Sequence, residues 1–207
     1  MTSSLITSLL ASKGLRIFST ADLAKITGLS IVASSQQLIR LSRAGSVSRI
    51  KKGVWVNGLT GEINPYEAVP NLVSPWPAYV SLYSALSDHG IVAEIPRAIY
   101  AVTTAMPRIF RTSIGEFRYH HLPDRLMWGY VMQRVGGSLF PVAEPEKAYL
   151  DLCYLGLTLR SPLGLPRRRT PRWNLNEAKI RTYATRFSFK PLTEHIKREK
   201  FSIKTTR

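Results

Sequence analysis

Apolar residues recur at helical intervals through the first part of the chain. A first set predicts an amphipathic helix that ends near Gly14, and its members are Leu5, Ile6, Leu9 and Leu10. Ser19 and Thr20 can cap a second helix over residues 21–27. Gly28 supplies the C-terminal stop of that helix, because glycine adopts the left-handed conformation without a steric penalty.

A third helix and a hairpin follow directly. Ser30 can cap a helix that runs to about Ala44. Two short runs rich in β-branched residues, 47–50 and 54–56, flank the basic turn 51–53 and predict a β-hairpin. Three helices and then a hairpin within about 55 residues are the element order of a winged helix-turn-helix.

The polar side of the predicted third helix carries residue types that read DNA bases. Leu38 and Leu41 lie on one side, which predicts that this side packs inward. Gln36, Arg40 and Arg43 lie about 140° to 200° away around the helix, on the opposite side. Arginine and glutamine make bidentate hydrogen bonds to guanine and adenine in the major groove. With flanking phosphate contacts included, the predicted DNA-binding residues are Ser35, Gln36, Gln37, Arg40, Arg43, Lys51 and Lys52.

Beyond the hairpin the pattern changes to a mixture of helices and strands. Prolines interrupt residues 61–77, which predicts a linker. The predicted helices span 78–90 and 142–155, a further one is capped by Asn174, and a last one follows Pro191. The predicted strands span 98–103, 116–122 and 127–131. The predicted fold class is therefore α+β, with an N-terminal winged helix-turn-helix followed by a mixed α/β C-terminal domain.

The charge of the chain is strongly positive and unevenly distributed. Lysine and arginine number 29 against 13 aspartates and glutamates, a net charge of +16. Residues 1–60 carry 8 basic residues and one acidic (+7), residues 61–160 carry 8 and 9 (−1), and residues 161–207 carry 13 and 3 (+10). Two basic ends on a near-neutral body favour nucleic acid as the partner, with a ribosomal-type charge mantle as the alternative. The secondary nucleic-acid contacts predicted in the last part are Arg167, Arg168, Arg169, Arg172, Lys179 and Arg186.

Cysteine count and hydropathy restrict the class of protein. The single cysteine, Cys153, excludes an intramolecular disulfide and a cysteine-based zinc site. No apolar run of about 18 residues is present, so no membrane contact is expected. The N-terminus has no basic segment before its apolar residues, which argues against a signal peptide and for a cytoplasmic protein.

Catalytic motifs are not evident in the chain. The four histidines lack the spacing of a metal triad, and they are His89, His120, His121 and His195. Glu144 and Glu146, next to Lys147, superficially resemble a nuclease carboxylate–lysine pair. Because Pro145 favours a helix start, we expect Glu144 to cap that helix and Glu146 to face its positive dipole end. No catalytic residue, metal or cofactor is therefore expected.

The order of these features resembles that of the AbiE-type antitoxins. The resemblance is carried by ADLAKITG…QQLIRLSRAGSVSRIKKGVWV, by AIYAVT and by VAEPEKAYLDL, and it covers roughly residues 1–190. It implies a bacterial transcriptional autorepressor, encoded beside a nucleotidyltransferase-like toxin in a type IV toxin–antitoxin pair. The winged helix of the family binds inverted repeats in the operon promoter, and the C-terminal domain counters the toxin. The resemblance places the wing on Lys51, Lys52 and Gly53.

Pattern, charge and resemblance together give the expected organisation. Residues 1–60 form the DNA-binding domain, 61–77 a linker, 78–190 an antitoxin-type domain and 191–207 a basic tail. The expected partners are double-stranded promoter DNA and a nucleotidyltransferase-like toxin. Two alternatives stay open. One is an RNA-binding protein whose basic C-terminal segment uses Trp173, Tyr183 and Phe187 for stacking, and the other is an enzyme that acts on nucleic acid.

Overall fold

The computed structural model describes residues 2–159, 161–165 and 173–199. Within them the chain forms eight α-helices and two β-sheets, which confirms the α+β class. The helices are α1 (Ser3–Ser12), α2 (Thr20–Thr27), α3 (Ile31–Arg43), α4 (Ala68–Val73), α5 (Leu82–Asp88), α6 (Pro145–Leu157), α7 (Glu177–Arg186) and α8 (Lys190–Arg198). The strands are β1 (Ile17–Ser19), β2 (Val47–Lys51), β3 (Val54–Asn57), β4 (Ala78–Val80), β5 (Ile99–Thr103), β6 (Arg108–Thr112), β7 (Gly115–His121), β8 (Tyr130–Val135) and β9 (Ser138–Ala143).

The first three helices form where local signals predicted them. Ser19 and Asp22 make a reciprocal capping box at the start of α2, and Gly28 ends that helix with a φ of 72°. Ser30 accepts the Ala33 N–H at the start of α3. The helices enclose a core of Ile6, Leu10, Phe18, Leu23, Leu38, Leu41, Val47 and Trp55. The predicted helices and the β2–β3 hairpin are confirmed.

A three-stranded sheet in the order β1-β3-β2 lies beside these helices. Every residue of its central strand β3 is buried. Trp55 faces the helices, and its indole N–H donates to the Thr20 hydroxyl at 3.0 Å. Val54 and Val56 instead join the larger core formed by the rest of the chain. The hairpin therefore packs on both of its faces.

The segment 61–77, predicted to be a linker, is instead part of the large core. It contains a 3-10 helix, Pro65–Glu67, and then α4. Four residues of α4 are buried, and they are Ala68, Val69, Leu72 and Val73. Pro65 and Pro70 misled the prediction, because proline is tolerated in the first turn of a helix, where no intrahelical donor is lost.

Arg16 joins the N-terminal unit to the rest of the protein. Its guanidinium Nε lies 3.0 Å from Glu67 Oε2, and its Nη1 donates to the Thr60 carbonyl at 2.9 Å. The Ser138 hydroxyl of β9 also donates to Glu67. Since Arg16 and Glu67 are mostly shielded from solvent, this contact is screened less than a surface ion pair.

The second sheet has six strands in the order β6-β7-β5-β4-β9-β8. Two strand predictions are corrected in this sheet: residues 78–80 form β4 rather than the start of a helix, and β8 spans 130–135 rather than 127–131. The cap of α7 is also corrected, because Asn176 rather than Asn174 caps that helix. The strands β1, β4, β6 and β9 were not predicted. Residues 191–198 of the predicted tail lie in α8, which agrees with the helix predicted after Pro191. Leu192 and Ile196 of this helix are buried, and residues 200–207 lie outside the described residues.

A charged pair lies at the centre of the C-terminal part. Lys147 and Asp151 are one turn apart on α6, have no exposed surface and form an ion pair. The Lys147 ammonium donates to the Tyr79 hydroxyl at 2.8 Å, and Asp151 accepts from Tyr79 at 3.0 Å and from Ser81 at 2.8 Å. The rings of Trp128 and Phe187 each lie 5.0 Å from the Lys147 nitrogen. This network fixes α6 against β4.

The carboxylates before this pair serve a structural role. Glu144 occupies the N-cap position of α6, but its side chain makes no cap hydrogen bond. It accepts instead from the Tyr183 hydroxyl at 2.7 Å and from Lys179 at 3.1 Å. Glu146 accepts the Asn176 N–H at 3.1 Å. The expected side-chain cap is therefore wrong for Glu144, and both carboxylates attach α7 to α6.

Candidate nucleic-acid interface

One exposed stripe runs the length of α3. Val32, Gln36, Ile39 and Arg43 follow one another at intervals of four, three and four residues, which places them on one line of the helix surface. All four are exposed, with 68% of Val32 and 39% of Ile39 accessible. Arg40 is exposed beside this line. We call these five residues the α3 stripe.

The opposite side of α3 explains why the stripe faces outward. Leu38 and Leu41 are 0% and 2% exposed and anchor the helix in the N-terminal core. Burying one large aliphatic side chain stabilises the fold by about 1.5–3 kcal/mol, so rotation of α3 about its axis would be costly. The orientation of Gln36, Arg40 and Arg43 predicted from the sequence is confirmed.

The positive charge of the α3 stripe has no nearby compensation. No ion pair to Arg40 or Arg43 occurs among residues 2–159, 161–165 and 173–199. Asp22 is the sole acidic residue of the first 60, and it is engaged in the capping box of α2. Unpaired, exposed guanidinium groups attract anionic ligands and remain available for bidentate hydrogen bonds.

Ser35 and Gln37 lie at the margin of this surface. Both are half-buried, in contrast to the exposed Gln36 between them. They therefore flank the stripe rather than form its centre. Their role as contacts to phosphate stays a prediction.

The hairpin turn separates the two lysines that were predicted together. Lys52 is exposed at the turn, whereas the Lys51 ammonium donates to the Leu72 carbonyl of α4 at 2.8 Å. The Lys51 nitrogen also lies 5.3 Å from the centre of the Phe110 ring. Burial, followed by the nearby Arg108, lowers the pKa of Lys51. Lys51 thus connects the hairpin to the C-terminal part, and Lys52 is the turn lysine that faces solvent.

Replacing Lys52 by alanine is expected to reduce the salt dependence of binding to any DNA duplex by about one counterion, because one phosphate contact is lost. Lys51→Ala is expected to leave that slope nearly unchanged and to lower the free energy of unfolding by about 1 kcal/mol, because the Leu72 carbonyl loses its donor. The salt dependence is measured as DNA affinity at salt concentrations from about 50 to 300 mM. The free energy of unfolding is measured by urea unfolding. A slope that falls for Lys51→Ala and not for Lys52→Ala would contradict this assignment.

Three further residues of this surface were missed in the sequence. Val32 and Ile39 were not predicted, because base recognition was inferred from polar residue types alone, although their helical spacing from Gln36 and Arg43 is present in the sequence. Arg49 is exposed on β2, and its guanidinium carbon lies 5.9 Å from the centre of the Trp55 ring. Because Trp55 faces the helices, Arg49 stands on the same side of the hairpin as α2 and α3.

The second predicted basic surface is described only in part. Arg167, Arg168, Arg169 and Arg172 lie outside the described residues. Lys179 forms ion pairs with Glu144 and Glu146 at 3.1 and 3.2 Å. The Arg186 guanidinium lies 4.1 Å from the centre of the Trp128 ring, although the residue is exposed. Both cations are thus engaged within the protein.

The aromatic residues named for RNA stacking are packed against other rings. Phe187 is fully buried, Tyr183 lies 5.0 Å from Trp128, and Trp173 lies 5.5 Å from Tyr149, as ring-centre distances. Tyr183 also donates to Glu144. Phe187 offers no ring face to a base, and Tyr183 and Trp173 are half-buried against their neighbours, so this geometry argues against a continuous stacking platform.

The histidines do not assemble a metal site. His120 and His121 follow one another on β7, where His120 is buried and His121 is exposed, as their opposite pleat positions predict. Burial, followed by the nearby Arg118, lowers the pKa of His120 to about 4, so the ring is neutral at physiological pH. No group of three or more metal-ligating side chains occurs in the part of the chain that the structure describes.

Cys153 is a core residue of α6, as expected from the apolar helix around it, and burial raises the pKa of its thiol to about 12.

Among the described helices, none combines the length and apolar character needed to cross a membrane. No protein-family model matches the chain, and no curated protein matches it.

Proposed function

We propose that the protein is a transcriptional regulator that binds duplex DNA, with residues 1–60 acting as a winged helix-turn-helix. The observation that carries the proposal is the α3 stripe, a line of unpaired guanidinium, amide and small apolar side chains on a rigidly anchored helix. The element order supports it. Helices α2 and α3 are followed by a β2–β3 hairpin, and β1 completes a three-stranded sheet, as in winged helices.

Each residue of the α3 stripe has a matching group in the major groove. Arg40 and Arg43 would donate to guanine O6 and N7, and Gln36 would pair with adenine. Val32 and Ile39 suit the methyl group of thymine, which is the apolar feature of that groove. A stripe that offers all three kinds of contact supports base readout better than a surface of lysine alone, which would recognise phosphate only.

The hairpin supplies the contacts that position α3. Lys52 and Arg49 are exposed and would bind phosphate oxygens on either side of the groove. Lys51 is assigned to the internal contact with α4. The hairpin is therefore held in place by the C-terminal part, and the DNA surface and the larger core form one structural unit.

The resemblance to the AbiE-type antitoxins supports the biological role within this proposal. On that basis the protein represses its own operon and counters a nucleotidyltransferase-like toxin encoded beside it. The segment of the resemblance that contains Glu144, Glu146 and Lys147 holds α6, α7 and β4 together. It would therefore act as scaffold for the toxin-countering part.

The direct test measures binding of the full chain to DNA from immediately upstream of its own coding sequence. Fluorescence anisotropy is recorded for that duplex, for a scrambled duplex of equal composition and for single-stranded RNA of equal length. We expect the upstream duplex to bind at least 1,000-fold more tightly than the scrambled duplex, on the order found for specific regulators. Equal affinity for both duplexes, or preference for the RNA, would refute the proposal.

The toxin role is tested separately by expressing the adjacent gene alone, with this chain, and with this chain carrying Arg40→Ala and Arg43→Ala. The adjacent gene is placed under a promoter that the protein does not control. We expect the double variant to relieve its toxicity. Because that promoter is independent of the protein, protection that disappears with the double variant would mean that Arg40 and Arg43 themselves take part in countering the toxin. No protection by either form would remove the antitoxin role.

A further inference from the structure

The six-stranded sheet has two edges of different character. The edge strand β6 presents the exposed arginines Arg108 and Arg111, and charged residues on an edge deter pairing with another strand. The opposite edge strand, β8, carries one charged residue, Arg134, and is otherwise largely apolar. The exposed apolar residues of the β8–β9 hairpin are Tyr130 (40%), Val131 (50%), Met132 (57%), Val135 (49%) and Leu139 (45%). We call this the β8 edge.

The backbone of the β8 edge is arranged for a further strand. The two-residue turn Gly136–Gly137 joins β8 to β9, with Val135 paired to Ser138. In such a hairpin the residues that flank the turn exchange both hydrogen bonds, and the pairing then alternates along the strands. Tyr130, Met132 and Arg134 consequently direct their N–H and C=O groups away from β9. Six backbone hydrogen-bonding groups therefore face outward.

We propose that two copies of this chain associate through β8, antiparallel about a twofold axis at Met132, and form a continuous twelve-stranded sheet. In this register Met132 of one copy lies opposite Met132 of the other. Tyr130 of each copy lies opposite Arg134 of the other. All three outward-facing residues of each strand then form hydrogen-bonded pairs across the axis.

Charge and side-chain type favour a second copy as the occupant. An axis at Arg134 would place two guanidinium groups directly opposite each other, which is destabilising across strands. An axis at Met132 instead places each guanidinium opposite a Tyr130 ring, one face of which stacks on Tyr79 at 4.6 Å. The other face can form a cation–π contact, which the symmetry repeats. The strand is thus complementary to itself in one register, which is the requirement of an isologous interface.

The area of contact between the two copies sets the expected strength of dimerisation. Two six-residue strands with their flanking side chains bury on the order of 1,000 Å², the lower limit for a specific interface. We therefore expect a dimer that forms in the micromolar range. The inference does not depend on the proposed function. If both hold, the dimer carries two α3 stripes, as reading of an inverted repeat requires.

The test is analytical ultracentrifugation of the full chain without DNA, from about 1 to 200 µM, a range that brackets micromolar association. Met132→Pro removes one outward N–H and takes no hydrogen bond from β9, since Met132 does not bond to that strand. Met132→Lys places two ammonium groups opposite each other at the axis. Both variants are expected to weaken dimerisation at least tenfold. The control, Ile109→Lys, adds the same charge at an exposed residue of the opposite edge and is expected to leave it unchanged.

Circular dichroism and urea unfolding of each variant, in the monomer range, establish that the fold is retained. A native chain that stays monomeric up to the highest concentration overturns the proposal. A dimer that both Met132 variants leave intact overturns it as well, since the interface would then lie elsewhere. Binding of each variant to a DNA half-site is measured in parallel, so that failure of the interface and failure of DNA recognition give different results.

Discussion

Replacing Lys147 by methionine is expected to lower the free energy of unfolding by about 3–5 kcal/mol, the usual cost of removing one partner of a buried ion pair. Asp151 would remain fully buried among Tyr79, Ser81 and the aromatic rings, with no cation beside it. Burial already raises the pKa of Asp151 and lowers the pKa of Lys147. Methionine fills a similar volume, so the lost charge rather than a cavity causes the effect.

The double variant Lys147→Met/Asp151→Leu separates charge from packing. We expect it to recover part of the lost stability, because no charge is then left buried. The recovery is incomplete, since Tyr79 and Ser81 lose their acceptor. Urea unfolding followed by tryptophan fluorescence measures each variant, with Trp128 reporting directly on the environment of Lys147. If Lys147→Met stays within about 1 kcal/mol of the native protein, the buried ion pair is not a major determinant of stability.

The second large effect concerns recognition of the cognate DNA duplex. Arg43→Ala and Arg40→Ala are each expected to weaken binding to the cognate duplex by about 1–3 kcal/mol, the value of a good bidentate contact to a base. Binding to scrambled DNA is expected to fall much less. Both residues belong to the α3 stripe, but Arg43 lies on the line formed by Val32, Gln36 and Ile39 and Arg40 lies beside that line, so we expect the larger loss for Arg43.

Arg111→Ala is the matched control, because it removes the same charge from an exposed residue of β6. It should affect both duplexes slightly and equally, through the net charge alone. Equal losses on cognate and scrambled DNA for the α3 variants would mean that these arginines contact phosphate only. Losses no larger than those of Arg111→Ala would remove α3 from the interface.

The N-terminal helices could be predicted because their signals are local. Ser19, Asp22 and Gly28 define α2 within ten residues, and Leu38 and Leu41 define the inward side of α3. Capping, left-handed glycine and helical periodicity act between neighbouring residues. The outward position of Gln36, Arg40 and Arg43 follows from the same periodicity, so the central part of the candidate site was visible in the sequence.

Only the tertiary structure decided how the N-terminal helices and their hairpin join the rest of the chain. Strands β1 and β4 are three residues long, too short to show a period of two, and they exist because distant strands pair with them. Lys51 turned inward because the carbonyl of Leu72, 21 residues later, is brought to it by α4. Glu144 bonds Tyr183 and Lys179 rather than its own helix for the same reason. Which side chain meets which across the chain is set by non-local packing, and that packing decided which predicted phosphate contacts remain exposed.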